Sequence, residues 1–260
     1  MKQIIEYFDR SYIINLPDRT DRRRQVEREF SRIGVKLSGD QVRFYPAIRP
    51  TEMAGFWDLG VRGNFLSHKN VLELAQREGL ANVLIFEDDV SFRHIDSAFE
   101  RSLLTQLSRE DWDVIFFGYL LPPDEGLKGP LMRWPKDILG MHFYAVNGRF
   151  IGSMLQYMNE CERRPRDHPL GGPMPTDGAY NHIRYVTSNT NFFLSVPNLA
   201  HQRSSRTDIA STRNFDRIIW LRPFLRSARA VKHQLRMALD KKKLQHQCAG
   251  KLPPDSTGGS

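Results

Sequence analysis

Short apolar runs alternate along this chain with longer segments in which apolar residues recur every three or four positions, the pattern of strands interleaved with amphipathic helices. Tyr12 to Leu16 reads as a first strand, and the turn Pro17-Asp18 leads into an arginine-rich helix from Thr20 to Ile33 that Gly34 ends. Thr20 is the expected N-cap, with Asp21 in the first turn, where an acid complements the helix dipole. Val42 to Ile48 is a second strand. Gly63 to Gly79 is a helix whose apolar surface comes largely from Phe65, Leu66, Val71, Leu72 and Leu74. Further strands follow at 83–87, 113–118 and 141–146, the last leading into a helix over 148–160. Thr176, as its cap, opens a short helix to Arg184, and Asn191 to Val196 is a last strand. Residues 121–137 and 163–175 are rich in Pro and Gly and read as loops, the first long enough to act as a lid. The alternation predicts a single α/β domain over residues 1–212 with a mostly parallel central sheet.

After Asn214 the pattern changes. Ile218, Leu221, Leu225, Ala228, Val231 and Leu235 form a helical apolar stripe, with Arg222, Arg226, Arg229, Lys232 and Arg236 over the remainder. We therefore expect a basic amphipathic helical segment over 213–247, followed by a disordered Pro/Gly/Ser-rich tail over 248–260. This segment changes the meaning of the net charge of +8. Ten Lys/Arg and two Asp lie between Arg213 and Lys243, so the rest of the chain sums to zero. A neutral domain with a basic appendage argues against a nucleic-acid partner and suits docking on the domain or on an anionic membrane surface. No apolar run is long enough to span a bilayer, and the N-terminus lacks the apolar stretch of a signal peptide. Cys161 and Cys248 are too few for a disulfide scaffold. The expected location is cytoplasmic, with peripheral attachment to the inner face of the membrane.

The chemistry concentrates at one strand end. Val83-Leu84-Ile85-Phe86 runs directly into Glu87-Asp88-Asp89, which delivers three carboxylates to the rim of the sheet, where open α/β sheets bind ligands. Side chains alternate along a strand, so Glu87 and Asp89 share a face and Asp88 points away. Two like charges ~4 Å apart repel by about 4 kcal/mol at an effective dielectric near 20, so such a trio calls for a cation or a proton. A solvated strand end is the bland alternative. Arg19, Arg22 and Arg23, just after the first strand, supply guanidinium forks suited to phosphate. Ser67-His68 lie one turn into the helix that opens at Gly63, Asp177 begins the short helix after Pro175, and the donor-dense stretch from His201 to Ile209 follows the last strand.

Taken in order, Ile13-Ile14-Asn15-Leu16 with Asp18-Arg19 and Asp21-Arg22-Arg23, Gly63 to Ser67-His68, Leu84 to Val90, and Met174-Pro175-Thr176-Asp177 resemble the landmarks of the family-25 glycosyltransferases. The resemblance covers roughly residues 11–210 and departs from the family at Asn64-Phe65-Leu66 and at Gly178. It implies a GT-A-type Rossmann-like fold and inverting, metal-assisted transfer of a sugar, galactose foremost, from a UDP-sugar to a saccharide. Lipopolysaccharide, lipooligosaccharide or another cell-surface glycan is the implied acceptor. Mn²⁺ or Mg²⁺ would be held by Asp89 with Glu87 or Asp88 assisting, and His201 would add a nitrogen. Asn15, Leu16, Arg19, Ser67, His68, Glu87 and Asp88 would bind the nucleotide sugar, and Asp177 would be the catalytic base. Two other readings use the same residues: a metal-dependent phosphohydrolase or nuclease, and a non-catalytic membrane-associated protein that binds sugar nucleotides.

Overall fold

The computed structural model describes residues 1–203 apart from Ser38, 121–128 and Ser188. The basic segment 213–247 and the tail 248–260 lie outside the described residues. Strand β1 (Arg10–Asn15) pairs in parallel with β2 (Val42–Pro46) on one side and β3 (Asn82–Glu87) on the other. Beyond β3 come β7 (Phe143–Asn147), β5 (Val114–Gly118), β8 (Phe192–Ser195) and β6 (Leu131–Arg133), so the sheet order is β2-β1-β3-β7-β5-β8-β6. Two three-residue strands, β4 (Val90–Phe92) and β9 (Ala200–Gln202), pair antiparallel with each other, and β9 also joins β5.

The sheet is mixed. Strands β1, β2, β3, β5, β8 and β9 run one way, while β7 is antiparallel to both of its neighbours at the centre. The reason lies in the chain's path. Between β5 and β7 the chain descends beside β8 as β6 and then returns to the rim, where Leu120 N–H donates to Leu139 O at 2.7 Å, so β7 starts where β3 ends and must run back down. The junction is tied by Glu87 N–H donating to His142 O at 2.9 Å.

Helices cover both faces, as a sheet buried on both sides requires. Along β3, Val83 and Ile85 join one apolar cluster and Leu84 and Phe86 the other, the two-residue period of a strand. The first cluster is closed by α3 (Leu59–Arg77), α5 (Gly148–Arg163) and α6 (Thr176–Val186). The second is closed by α1 (Lys2–Tyr7), α2 (Thr20–Arg32) and α4 (Ser97–Leu107). Phe30 of α2 stands edge-on to Phe86 and Phe92, each ring centroid 5.2 Å away, and is fully buried. Truncating such a side chain to Ala costs about 3–5 kcal/mol, so this contact holds α2 over the acid-bearing strand end.

Several boundaries differ from the sequence expectation. Helix α2 begins at Thr20 itself, after Arg19 and without a side-chain cap. Helix α3 begins four residues earlier than Gly63, because Asp58 caps it by accepting from Gly60 N–H at 2.7 Å. Thr176 does not cap α6: its hydroxyl donates to Asn64 Oδ1 at 2.6 Å. Part of the stretch 121–137 is ordered as β6, which gains regularity from pairing with β8 rather than from its own pattern. Among the described residues, no helix is long and apolar enough to cross a membrane.

Candidate active site

The ends of β1 and β3, the start of β7 and the end of β9 meet at one rim. There Asn64, Glu87, Gly140, Met141, Pro175, Thr176, Asp177 and Gln202 enclose a cavity of about 130 Å³. The three consecutive acids divide their roles as strand alternation predicts, although β3 ends at Glu87 and Asp88-Asp89 form a turn into β4. Asp88 turns toward the first strand, accepting from Arg22 Nη1 at 2.6 Å and from Asn15 Nδ2 at 2.8 Å. Glu87 and Asp89 turn toward Gln202, whose Nε2 donates to Glu87 Oε2 at 2.9 Å and approaches Asp89 Oδ2 at 3.5 Å.

Glu87 is held as an anion. Burial opposes its charge, but the hydrogen bond from His68, the neighbouring imidazoles and the Asn64 amide at 2.9 Å outweigh that and keep its carboxyl below the usual range. His68 occupies the inward face of α3 between Phe65 and Leu72, which the 3.6-residue period dictates, and is fully buried. Its Nδ1 lies 2.7 Å from the Tyr144 hydroxyl and its Nε2 lies 3.4 Å from Glu87 Oε1. Burial pushes Tyr144 well above the usual phenol range, so a protonated phenol stands against this imidazole.

Asp89 is in the opposite situation. Burial together with repulsion from Glu87 and Asp88 pushes its carboxyl up to about 7, offset in part by Arg22 and Arg203. Its Oδ1 is buried without a hydrogen-bond partner among the described residues. A buried orphan carboxylate oxygen beside a second carboxylate fits a hard divalent cation. Among the described residues, no three His, Cys, Asp or Glu side chains converge to hold one by themselves.

Asp177 faces the same cavity from α6. Its Oδ2 accepts from Gly140 N–H at 3.0 Å and its Oδ1 from Gly178 N–H at 2.8 Å. Burial and the Glu87 charge nevertheless outweigh these donors and raise its carboxyl. Gly140 has φ +69°, and a Cβ there would lie 2.6 Å from Leu120, so this donor position requires glycine.

The remaining sequence candidates sort by position. Asn15 is buried at the end of β1 and fixed on Asp88, Leu16 follows it half-buried, and Arg19 forms a paired contact with Asp21 at 2.9 Å. Ser67 is withdrawn from the cavity. Its hydroxyl donates to Gly63 O at 2.6 Å and accepts from Ile48 N–H at 2.8 Å, which ties α3 to the chain after β2. A serine 1% exposed and engaged on both sides has no surface for a nucleotide sugar, and fully buried His68 reaches the site only through Glu87. His201 does not join the acids either. It is exposed opposite Ser91, whereas Gln202, on the other face of β9, contacts the carboxylates. The sequence marks Gln202 and Arg203 only within the donor-dense stretch 201–209 and gives Asn64 no role. Arg203 pins the acid turn by donating from its backbone to Asp89 O and from its guanidinium to Asp88 O and Val90 O, each at 2.8 Å.

No family model matches the chain. Among curated proteins, a glycosyltransferase 25 family member of Drosophila melanogaster is 32% identical over 127 residues, 42% of this chain and 21% of that protein. Procollagen galactosyltransferase 1-A of Xenopus laevis is 27% identical over 135 residues, 43% of this chain and 21% of its own length. Inactive glycosyltransferase 25 family member 3 of Homo sapiens is 31% identical over 129 residues, 43% and 22% of the two chains. The match thus spans about a fifth of these relatives. A solved glycosyltransferase involved in the glycosylation of the major capsid of PBCV-1 superposes with a TM-score of 0.41 at 12% identity, over 75% of this chain and 95% of that one. The chain is a distant homologue of the glycosyltransferase 25 family members.

Proposed function

We propose that this protein is a GT-A-type glycosyltransferase that moves galactose from a UDP-sugar to a saccharide hydroxyl with inversion at the anomeric carbon. The observation that carries this reading is a pair of carboxylates with opposite tendencies across one cavity: Glu87, held ionised beside the orphaned Asp89 oxygen, and Asp177, pushed toward neutrality. The distant homology supports the reaction class, and the name of the Xenopus relative supports galactose.

In this reading Asp89 and Glu87 hold Mn²⁺ or Mg²⁺, which when bound supplies Lewis-acid stabilisation of the departing diphosphate. Asn15, Leu16 and Arg19 line the nucleotide pocket, and the Arg22–Asp88 pair keeps the end of β1 against the acid turn. Asp177 takes the proton from the acceptor hydroxyl. A base is most effective when its pKa lies near the working pH, and the raised carboxyl of Asp177 moves in that direction. The acceptor is a lipid-linked glycan of the lipopolysaccharide type at the inner leaflet, where the +8 segment over 213–243 suits an anionic surface.

A thermal-shift series tests the substrate class. UDP-galactose with Mn²⁺ raises the melting temperature more than either alone, because a ligand that binds only the native state stabilises it. A phosphohydrolase or nuclease would instead respond to phosphate esters or oligonucleotides and be indifferent to the sugar.

A further inference from the structure

We propose that Gln202 is the third oxygen ligand of the cation site, presenting its amide carbonyl after a half-turn of its terminal torsion. This inference rests on the reading above that a divalent cation sits between Glu87 and Asp89.

Three observations carry it. First, the Gln202 amide already occupies the space that the two carboxylates share, with Nε2 at 2.9 Å from Glu87 Oε2 and 3.5 Å from Asp89 Oδ2. A single NH₂ group there acts as a neutral substitute for positive charge, and it leaves Asp89 Oδ1 buried without a partner. Second, the side chain is delivered by a fixed backbone. Gln202 pairs with Val90 in the β4–β9 ladder, and the next residue donates from Arg203 N to Asp89 O and from its guanidinium to Asp88 O and Val90 O. The acid turn and Gln202 are therefore tied together by the backbone itself. Third, among the described residues no His, Cys, Asp or Glu side chain joins the two carboxylates as a third ligand to one cation, and His201 lies on the opposite face of β9.

The chemistry follows from the amide itself. Its terminal sp²–sp³ torsion is broad and nearly two-fold, so exchanging nitrogen for oxygen displaces little else. When a cation replaces the shared donor, the carboxylates no longer need N–H, and a repelled NH₂ is replaced by an attractive carbonyl dipole. Mn²⁺ and Mg²⁺ favour oxygen ligands, and amide carbonyls are regular members of such shells. The result is a two-carboxylate, one-amide set that leaves the remaining positions for water and diphosphate oxygens.

The test is titration of the full chain with Mn²⁺ alone, following free Mn²⁺ by electron paramagnetic resonance, with melting curves to verify folding. Gln202→Leu, which keeps the bulk and removes both amide atoms, should weaken Mn²⁺ binding by about tenfold or more, and Gln202→Glu should tighten it relative to wild type. A Leu variant that binds Mn²⁺ as tightly as wild type, or a Glu variant that binds it no more tightly, would show that the amide only bridges the empty carboxylates and would overturn the assignment. Should the Leu variant fail to fold, the Glu variant decides alone. Absence of Mn²⁺ binding by the wild type would instead remove the cation reading itself, and this inference with it.

Discussion

Glu87 and Asp177 reach the same cavity from β3 and α6, and their surroundings drive their carboxyl groups in opposite directions. Glu87 is surrounded by side-chain donors from two elements, His68 and Asn64 of α3 and Gln202 of β9, with His142 just before β7 nearby. Asp177 has backbone N–H groups, chiefly those of Gly140 and Gly178, to set against burial and the Glu87 charge. Two acids whose environments separate their titration suit two different roles, one permanently charged and one that exchanges a proton.

The proton-exchanging role gives the first prediction. Asp177→Asn should lower turnover by roughly 10²–10⁴, the usual contribution of a positioned base, and leave donor affinity unchanged. Steady-state kinetics beside UDP binding by calorimetry separate the two. A parallel fall in affinity would make Asp177 part of the donor site or a structural cap.

Asp89 gives a pH prediction. Its folded-state carboxyl sits at about 7, above its ordinary 3.8, so the folded protein binds this proton more tightly than the unfolded chain does. Stability of the metal-free protein should therefore be fully present below about pH 4 for this group and fall as pH rises toward about 7, by a few kcal/mol. Glu87 acts in the reverse sense, with stability lost only as pH falls below its ordinary 4.5. Asp89→Asn should flatten the decline between pH 4 and 7 in urea-melt profiles and abolish Mn²⁺-dependent UDP binding. A decline unchanged in the variant would assign it elsewhere.

Ser67→Ala addresses a residue that the family resemblance placed at the donor. The hydroxyl joins Gly63 O to Ile48 N–H, so removing it leaves a backbone N–H without its partner and should destabilise the fold by about 1–3 kcal/mol. The Michaelis constant for the donor should not change. A large rise in that constant at unaltered stability would return Ser67 to the substrate site.

Much of the site is legible in the sequence because its signals are local. The apolar run into Glu87-Asp88-Asp89 predicts a strand that ends on acids, and Pro175-Thr176-Asp177 predicts a carboxylate at a helix start. Gln202 and Arg203 are legible only as members of a donor-dense stretch. They act from a three-residue strand whose pairing with β4 exists only once the chain has returned across the sheet, and three residues carry no alternation from which to choose between His201 and Gln202. The same limit hides β6. Helix α4 is a different case, since Asp96 caps it by accepting from Phe99 N–H at 2.7 Å, a local signal that the apolar runs around it obscured. The antiparallel β7 is set by where the preceding loop ends, which no local pattern records.

The basic segment supplies a further prediction, drawn from its sequence. Each Lys or Arg near an anionic surface contributes about 1 kcal/mol, so half of the ten between Arg213 and Lys243 would hold the protein peripherally at low salt. Deleting residues 213–260 should abolish sedimentation with anionic vesicles yet spare transfer to a small soluble acceptor. Equal vesicle binding by the two proteins would remove the membrane role.

The most direct measurement is release of UDP from a panel of UDP-sugars by the full chain, with a saccharide acceptor present, in Mn²⁺ and in excess chelator, for wild type and Asp89→Asn. Acceptor-dependent release from UDP-galactose above the other donors, lost on chelation and lost in Asp89→Asn, is the expected result. Release that is equal across donors, or that persists in the Asp89→Asn protein under chelation, would contradict it.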